Sequence, residues 1–414
     1  LSNALLSVAV ILMTGLLFGR VASMFKLPSV TGYLVGGLLI GPSFLNLVTT
    51  GMLEGFGIIS QMALAFIAFS IGLSFKTDYF KRVGMTPVVI AFFEATLAVV
   101  LVTGALLAIG VEPAFAIVLG SIAAATAPAA TVMVIKEYKA KGPVTDTLLS
   151  VVALDDAVAL ILFGFAAAIA EMLTAAHGAT TSLVMTMVAP FLDVLLALAA
   201  GAVLGFVMQF PLKLFKTRAN RLTVLLAFVF LTSGLSTSFG VSELLACMMA
   251  GGVLTNVSKE APLMTDLSDR ITPPLYMMFF VVSGAGLNIS ILPSIGLIGV
   301  VYILFRVFGK MLGAYTGARI MKAPKEVSNY LGITLIPQAG VAIGLATASQ
   351  TLVPAYAEQI TAVVLAGTLV YELVGPVLTK WALTKAGDIE APVKDIQAQE
   401  SYNNFVCQIK LEII

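Results

Sequence analysis

Charged side chains are scarce in this chain. Its 414 residues hold 23 Lys and Arg and 22 Asp and Glu, 11% in all, against 59% hydrophobic residues. A soluble domain of this length cannot cover its surface with so little charge, and the mean hydropathy of +1.04 agrees. The net charge of +1 offers no basic face, so nucleic acid is not an expected partner. Cysteine is nearly absent as well. Cys247 lies in an apolar run and Cys407 in the C-terminal tail, a placement that excludes a disulfide framework or a thiolate metal cluster. The one histidine, His177, falls in a polar connection and reads as solvated rather than as a pH sensor. An intramembrane enzyme would need a nucleophile–base pair or metal ligands within the apolar runs, and this histidine lies outside them. No glycine-rich phosphate loop of the Walker kind occurs, so ATP-driven chemistry and a resident cofactor are not expected.

What fills the chain instead is apolar runs of membrane-spanning length, which predict an all-α polytopic membrane protein bathed in lipid. Thirteen spans are expected, at roughly 3–25, 30–48, 56–75, 84–109, 112–136, 143–172, 181–211, 221–239, 241–257, 271–290, 292–318, 327–350 and 357–384. The first lacks a basic leader and does not read as a signal peptide. Residues 385–414 read as a charged cytoplasmic tail, too short to be a nucleotide-binding domain. Lys and Arg set the orientation. Lys26, Lys76, Lys81, Arg82, Lys136, Lys139 and Lys141 follow odd-numbered spans, and so do Lys213, Lys259, Arg319 and Lys380. The connections after even-numbered spans hold Glu54, Glu112, Glu171 and Glu358 and no Lys or Arg. The N-terminus is therefore expected outside and the C-terminus in the cytoplasm.

Weak internal echoes share one offset. Gly36-Gly37-Leu38-Leu39 of the second span matches Gly251-Gly252-Val253-Leu254 of the ninth. Ser70-Ile71-Gly72-Leu73 of the third matches Ser283-Gly284-Ala285-Gly286 of the tenth, and Pro128 of the fifth matches Pro337 of the twelfth. Each echo lies seven spans from its mate, and an odd offset inverts the second copy in the membrane. The expectation is two inverted six-helix repeats, spans 1–6 and 8–13, joined by span 7, with broken crossing helices as in secondary transporters.

The chemistry concentrates in Leu154-Asp155-Asp156-Ala157, two carboxylates inside an apolar run. Charge at such a depth is costly and marks a functional site. Asp155 lies about 12 residues into its span, roughly 18 Å from the cytoplasmic end and near the midplane. Neighbouring helical side chains point about 100° apart, so one acid can face an ion path while the other faces a partner. Arg306 and Lys310, four apart on one face of the eleventh span, are the basic residues deep within a span. Arg306 is expected to pair with Asp155 and leave Asp156 free; spacing alone leaves the reverse assignment of the aspartates open. Lys310, about a turn nearer the cytoplasm, is expected to snorkel or to make a structural pair. Pro128 after Thr126-Ala127, and Pro337-Gln338-Ala339-Gly340, are expected to unwind their helices at the midplane. Freed carbonyls and the Thr126 hydroxyl would then help hold a monovalent cation. Glu372 reads as a structural acid that caps a broken helix or pairs with Lys310. Glu94 and Asp193 read as lone acids, and Glu243 as a wet one near the outer end of its span.

On these motifs the chain resembles the cation:proton antiporter superfamily over roughly 5–384. It is most similar to bacterial sodium/proton antiporters with paired aspartates, and close to the membrane part of Kef-type potassium/proton antiporters. The resemblance implies a secondary antiporter of the bacterial inner (plasma) membrane that exchanges protons for sodium or lithium by alternating access. A potassium/proton antiporter of the Kef kind is the second reading. A channel or a non-transporting sensor on the same fold would be a different class, and no filter or charged ring supports a channel. The resemblance puts ion binding on Asp156 and links Asp155 to the basic residue of the eleventh span. That residue is lysine in many electrogenic members, and here it is expected to be Arg306, which cannot release a proton at physiological pH. A homodimer is also implied, with an elevator-like core at about 56–172 and 271–384. Dimerisation helices are expected at about 1–55 and 212–258, and a linker helix at about 181–211.

Overall fold

A computed structural model describes residues 4–73, 75, 84–174, 183–287, 289, 293 and 295–390. His177, Cys407, Lys76, Lys81, Arg82 and the tail from 391 lie outside the described residues, as do the side chains of Glu54 and Glu171. Among the described residues the secondary structure is helical, without a strand. The first half of the chain forms α1 (Ala4–Met24), α2 (Ser29–Ile40), a short α3 (Thr50–Gly55), α4 (Gly57–Leu73) and α5 (Thr86–Ala108). It continues with α6 (Pro113–Ile122), α7 (Pro128–Tyr138) and α8 (Pro143–Thr174). The remainder forms α9 (Leu183–Leu214), α10 (Arg218–Ser238), α11 (Glu243–Val257), α12 (Ala261–Ala285) and α13 (Gly296–Ile320). Then come α14 (Lys325–Thr334), α15 (Gly340–Leu352), a 3-10 turn (Pro354–Tyr356) and α16 (Ala357–Ala386). Among the described residues, seven of these are long and apolar enough to cross a membrane.

Local chemistry explains where the helices start. Proline has no N–H to lose in a first turn, and α6, α7 and α8 all begin on proline. The Glu112 carboxylate caps α6 by accepting from Phe115 N at 2.9 Å. Thr217 and Ser242 cap α10 and α11 in the same way. Two expected boundaries move. The second helix ends at Ile40 rather than near 48, because Gly41-Pro42 turns the chain. The tenth begins at Ala261 rather than near 271, where a polar first half carries the Asp266–Arg270 pair one turn apart. The start of the tail is also ordered. Asp388 Oδ2 accepts from Thr145 N at 2.6 Å, which sets an acid at the positive end of α8.

Glycine lets four helices meet backbone to backbone. A Cβ on Gly37 of α2 would lie 2.1 Å from Val281 O of α12, and one on Gly284 of α12 would lie 2.2 Å from Leu34 O of α2. Likewise Gly72 of α4 faces Met248 O of α11 at 2.0 Å, and Gly251 of α11 faces Phe69 O at 2.3 Å. The segments at about 56–75 and 271–290 thus pack on the helices assigned above to the dimerisation part. A third close contact joins α5 to α13. Gly309, Gly313 and Gly317 recur every four residues along α13, and their Cβ positions lie 2.4–2.8 Å from the Cα atoms of Ala98, Glu94 and Ile90. This ridge sets the depth of everything in the site below.

Candidate functional site

Both prolines fall at real interruptions. Residues 123–127 separate α6 from α7, and 335–339 separate α14 from α15. Pro128 is the first residue of α7, while Pro337 lies in the second unwound stretch; Gly340 opens α15. The two stretches cross. Ala127 N donates to Pro337 O at 2.8 Å, and Gln338 Nε2 donates to Ile122 O at 2.9 Å. The Gln338 carbonyl accepts from Tyr302 OH at 3.0 Å, so Gln338 is a fully buried clip between the crossings.

Helix interruption leaves carbonyls without intrahelical partners and with partial negative charge. Arg306 of α13 is aimed at them. Its guanidinium donates to Ala123 O at 3.1 Å, Ala125 O at 2.7 Å and Ile336 O at 2.6 Å, and it stacks 4.6 Å from the Tyr371 ring centroid. The expected Arg306–Asp155 pair is therefore not made. Five donors in a rigid fork suit an array of carbonyls better than a single carboxylate. One turn on, Lys310 takes the place assigned to Arg306. Its Nζ is 3.4 Å from both Asp155 oxygens and 2.8 Å from Thr126 Oγ1, and it also donates to Ala124 O. Lys310 is completely buried and does not snorkel. The carbonyls of Ala123, Ala124, Ala125, Ile336 and Pro337 each already accept a hydrogen bond from Arg306, Lys310 or Ala127 N.

Sequence reasoning missed Glu94. It sits on α5, fully buried, with Oε2 2.6 Å from Lys310 Nζ. Depth was a usable signal. Glu94 is eight residues from the start of α5 and Lys310 ten from the end of α13, roughly 12 and 15 Å from the same membrane face. The glycine repeat at 309, 313 and 317 announces the close contact that joins them.

Asp156 points elsewhere. It is 2% exposed, and Oδ1 has no hydrogen-bond partner. It lines a cavity of about 430 Å³ with Thr126, Pro128, Gly340, Asp193, Glu243 and Glu372. Glu243 is tied at the rim by Gln61 and Thr237, at 3.2 and 3.3 Å. Glu372 is 4% exposed, and its Oε1 is also unpartnered. It borders this cavity and a second of about 310 Å³ lined by Ser60, Ser283 and Thr368. Its expected alternative partner, Lys310, faces Glu94 instead. Among the described residues no group of three or more His, Cys, Asp or Glu is placed to hold a metal ion. What the site offers is a desolvated carboxylate facing a cavity, with a cation-stabilised carboxylate behind it. Such a group favours whichever proton or cation neutralises it.

A family model described as sodium/hydrogen exchanger, transmembrane, matches residues 8–385. The high-affinity Na⁺/H⁺ antiporter NhaS3 of Synechocystis is 24% identical, with 96% of this chain and 93% of that protein covered. The Na⁺/H⁺ antiporter NhaS4 of the same organism is 24% identical over 80% of this chain and 84% of that protein. In fold, the chain is similar to the sodium proton antiporter MjNhaP1 from Methanocaldococcus jannaschii. That structure, at pH 8, has a TM-score of 0.69 and 19% identity, with 93% of this chain and 98% of that chain covered.

Proposed function

The chain belongs to the sodium/hydrogen exchanger family and is a secondary sodium/proton antiporter, and we propose that exchange takes place at Asp156. One observation carries this reading: the buried, unpartnered Asp156 oxygen faces a cavity, while its neighbour Asp155 is engaged by Lys310. Exchange then follows from competition. Out of water, a bare carboxylate is costly, and either a proton or a dehydrated Na⁺ relieves the cost. Thr126 lines the same cavity, with its hydroxyl oxygen engaged by Lys310 at 2.8 Å, so the carboxylate of Asp156 is the group left to take the ion. Once neutralised, the site crosses between facings more readily than the bare anion, so the two gradients are coupled without covalent chemistry.

The architecture proposed for this is thirteen crossings, with α6–α7 and α14–α15 each counted as one interrupted span. Spans 1–6 and 8–13 are read as inverted repeats. Packing supports that reading, because an offset of seven spans turns the α2–α12 contact into the α11–α4 contact. The same contacts favour a moving core of α5–α8 and α13–α16, with α4 and α12 left on the static side. A homodimer through that static side, an outside N-terminus and a cytoplasmic C-terminus in a bacterial plasma membrane complete the proposal. With that orientation the Asp156 cavity opens outward, since the 239–242 connection at its rim follows an even-numbered span.

Purified protein in proteoliposomes, with Na⁺, Li⁺ and K⁺ added in turn and internal pH read by fluorescence, tests the site. Sodium is expected to drive proton flux in the wild type, and Asp156→Asn is expected to abolish it. Undiminished flux in that variant would remove Asp156 from the mechanism. Flux with K⁺ alone would move the chain to potassium exchange.

A further inference from the structure

The buried ion cluster contains one carboxylate that exchange at Asp156 does not require. Two acids and one base meet there, Glu94 from α5, Asp155 from α8 and Lys310 from α13; Asp156 and Arg306, buried beside them in sequence, face elsewhere. Arg306 is committed to three carbonyls and the Tyr371 ring. Lys310 therefore has two acids to itself, and the nearer is Glu94, at 2.6 Å against 3.4 Å for Asp155. Glu94 does not face the Asp156 cavity. Its backbone is pinned by the glycine ridge of α13, since a Cβ on Gly313 would reach within 2.4 Å of Glu94 Cα. Glu94 and Lys310 are both fully buried, on two helices in close backbone contact.

This arrangement changes what happens to Lys310 when a cation arrives. With Asp155 as its sole anion, an ammonium group would be left alone as soon as a cation drew Asp155 away. An isolated buried ammonium sheds its proton to escape the desolvation cost. With an ionised Glu94 in place, Lys310 keeps a counter-ion throughout. We propose that Glu94 is a positioning residue that holds Lys310 protonated through the transport cycle, so that an incoming cation displaces a proton from Asp156 and none from Lys310. The proposal rests on the reading of Asp156 as the exchange site.

The number of protons released per Na⁺ tests it, read in proteoliposomes as the sodium gradient that nulls proton flux at a potential set by K⁺ and valinomycin. Glu94→Gln leaves Lys310 with Asp155 alone, and should raise the ratio by one proton per Na⁺ relative to wild type. Glu94→Asp keeps the charge and should restore the wild-type ratio. Lys310→Arg, which cannot release a proton, should also keep that ratio. An unchanged ratio in Glu94→Gln would overturn the proposal, as would a folded but inactive Glu94→Gln protein, because Asp156 is intact in it. If Glu94→Gln does not fold, Lys310→Arg decides: a lowered ratio means that Lys310 does cycle its proton. Absence of exchange in the wild type, or undiminished exchange in Asp156→Asn, would instead sink the parent reading.

Discussion

Arg306 and Lys310 stand one turn apart on the same helix face and meet different partners. The arginine binds the carbonyl ends of two interrupted helices, and the lysine binds two carboxylates. Substituting Arg306 by Ala would leave Ala123 O, Ala125 O and Ile336 O unpaired where water is scarce. Each such loss costs about 1–3 kcal/mol. Thermal unfolding in detergent should show a large drop for Arg306→Ala, with partial recovery in Arg306→Lys, whose ammonium lacks the planar fork. Equal melting temperatures for wild type and Arg306→Ala would refute this role. The aspartate pair was legible in the sequence, because two acids in an apolar run have no cheaper explanation. The cation that meets Asp155 was not, because depth counted along a helix is uncertain by about one turn, the separation of the two candidates.

At the scale of helices, the α5–α13 contact makes a sharp prediction. Gly313→Ala places a methyl group 2.4 Å from the Glu94 Cα, on backbone that cannot rotate away. Overpacking of this kind costs about 1–3 kcal/mol. Gly104→Ala, on α5 with nothing within 4 Å of the added Cβ, should be neutral or slightly stabilising. Melting curves of the two variants side by side would separate the cases, and equal losses would argue against the close contact. The interrupted helices were legible from Pro128, Pro337 and Gly340. The uses of their carbonyls were not, since those depend on which side chains of a third helix reach them.

For the whole molecule, the issue is what holds the site on one facing. At the end away from the Asp156 cavity, Lys136 of α7 meets Asp269 of α12 and Ser70 of α4, both at 2.8 Å. Glu137 of α7 accepts from Ser29 N and Oγ, each at 2.8 Å from one of its oxygens. These contacts tie the proposed core to its static side. Both partners of the Lys136–Asp269 pair are partly exposed, and such pairs contribute about 0.2–1 kcal/mol. Asp269→Asn should thus shift the balance of facings by at most about fivefold. The readout is thiol labelling of Gly344→Cys in the cavity wall, which should slow in the added presence of Asp269→Asn. Unchanged labelling would mean the pair is not part of the closure.

The amino-acid sequence by itself determined that this chain lives in lipid, roughly where most of its helices run, where two of them break and which apolar run holds two adjacent acids. These properties are written in composition, in proline and in the cost of burying a carboxylate, all of which act locally along the chain. Only the tertiary structure decided the partnerships. Glu94, Lys310, Arg306 and the two unwound stretches come from elements far apart in sequence, and a ridge of glycines sets their register. A shift of one turn along α13 would exchange the roles of its two cations, and no local rule distinguishes those registers.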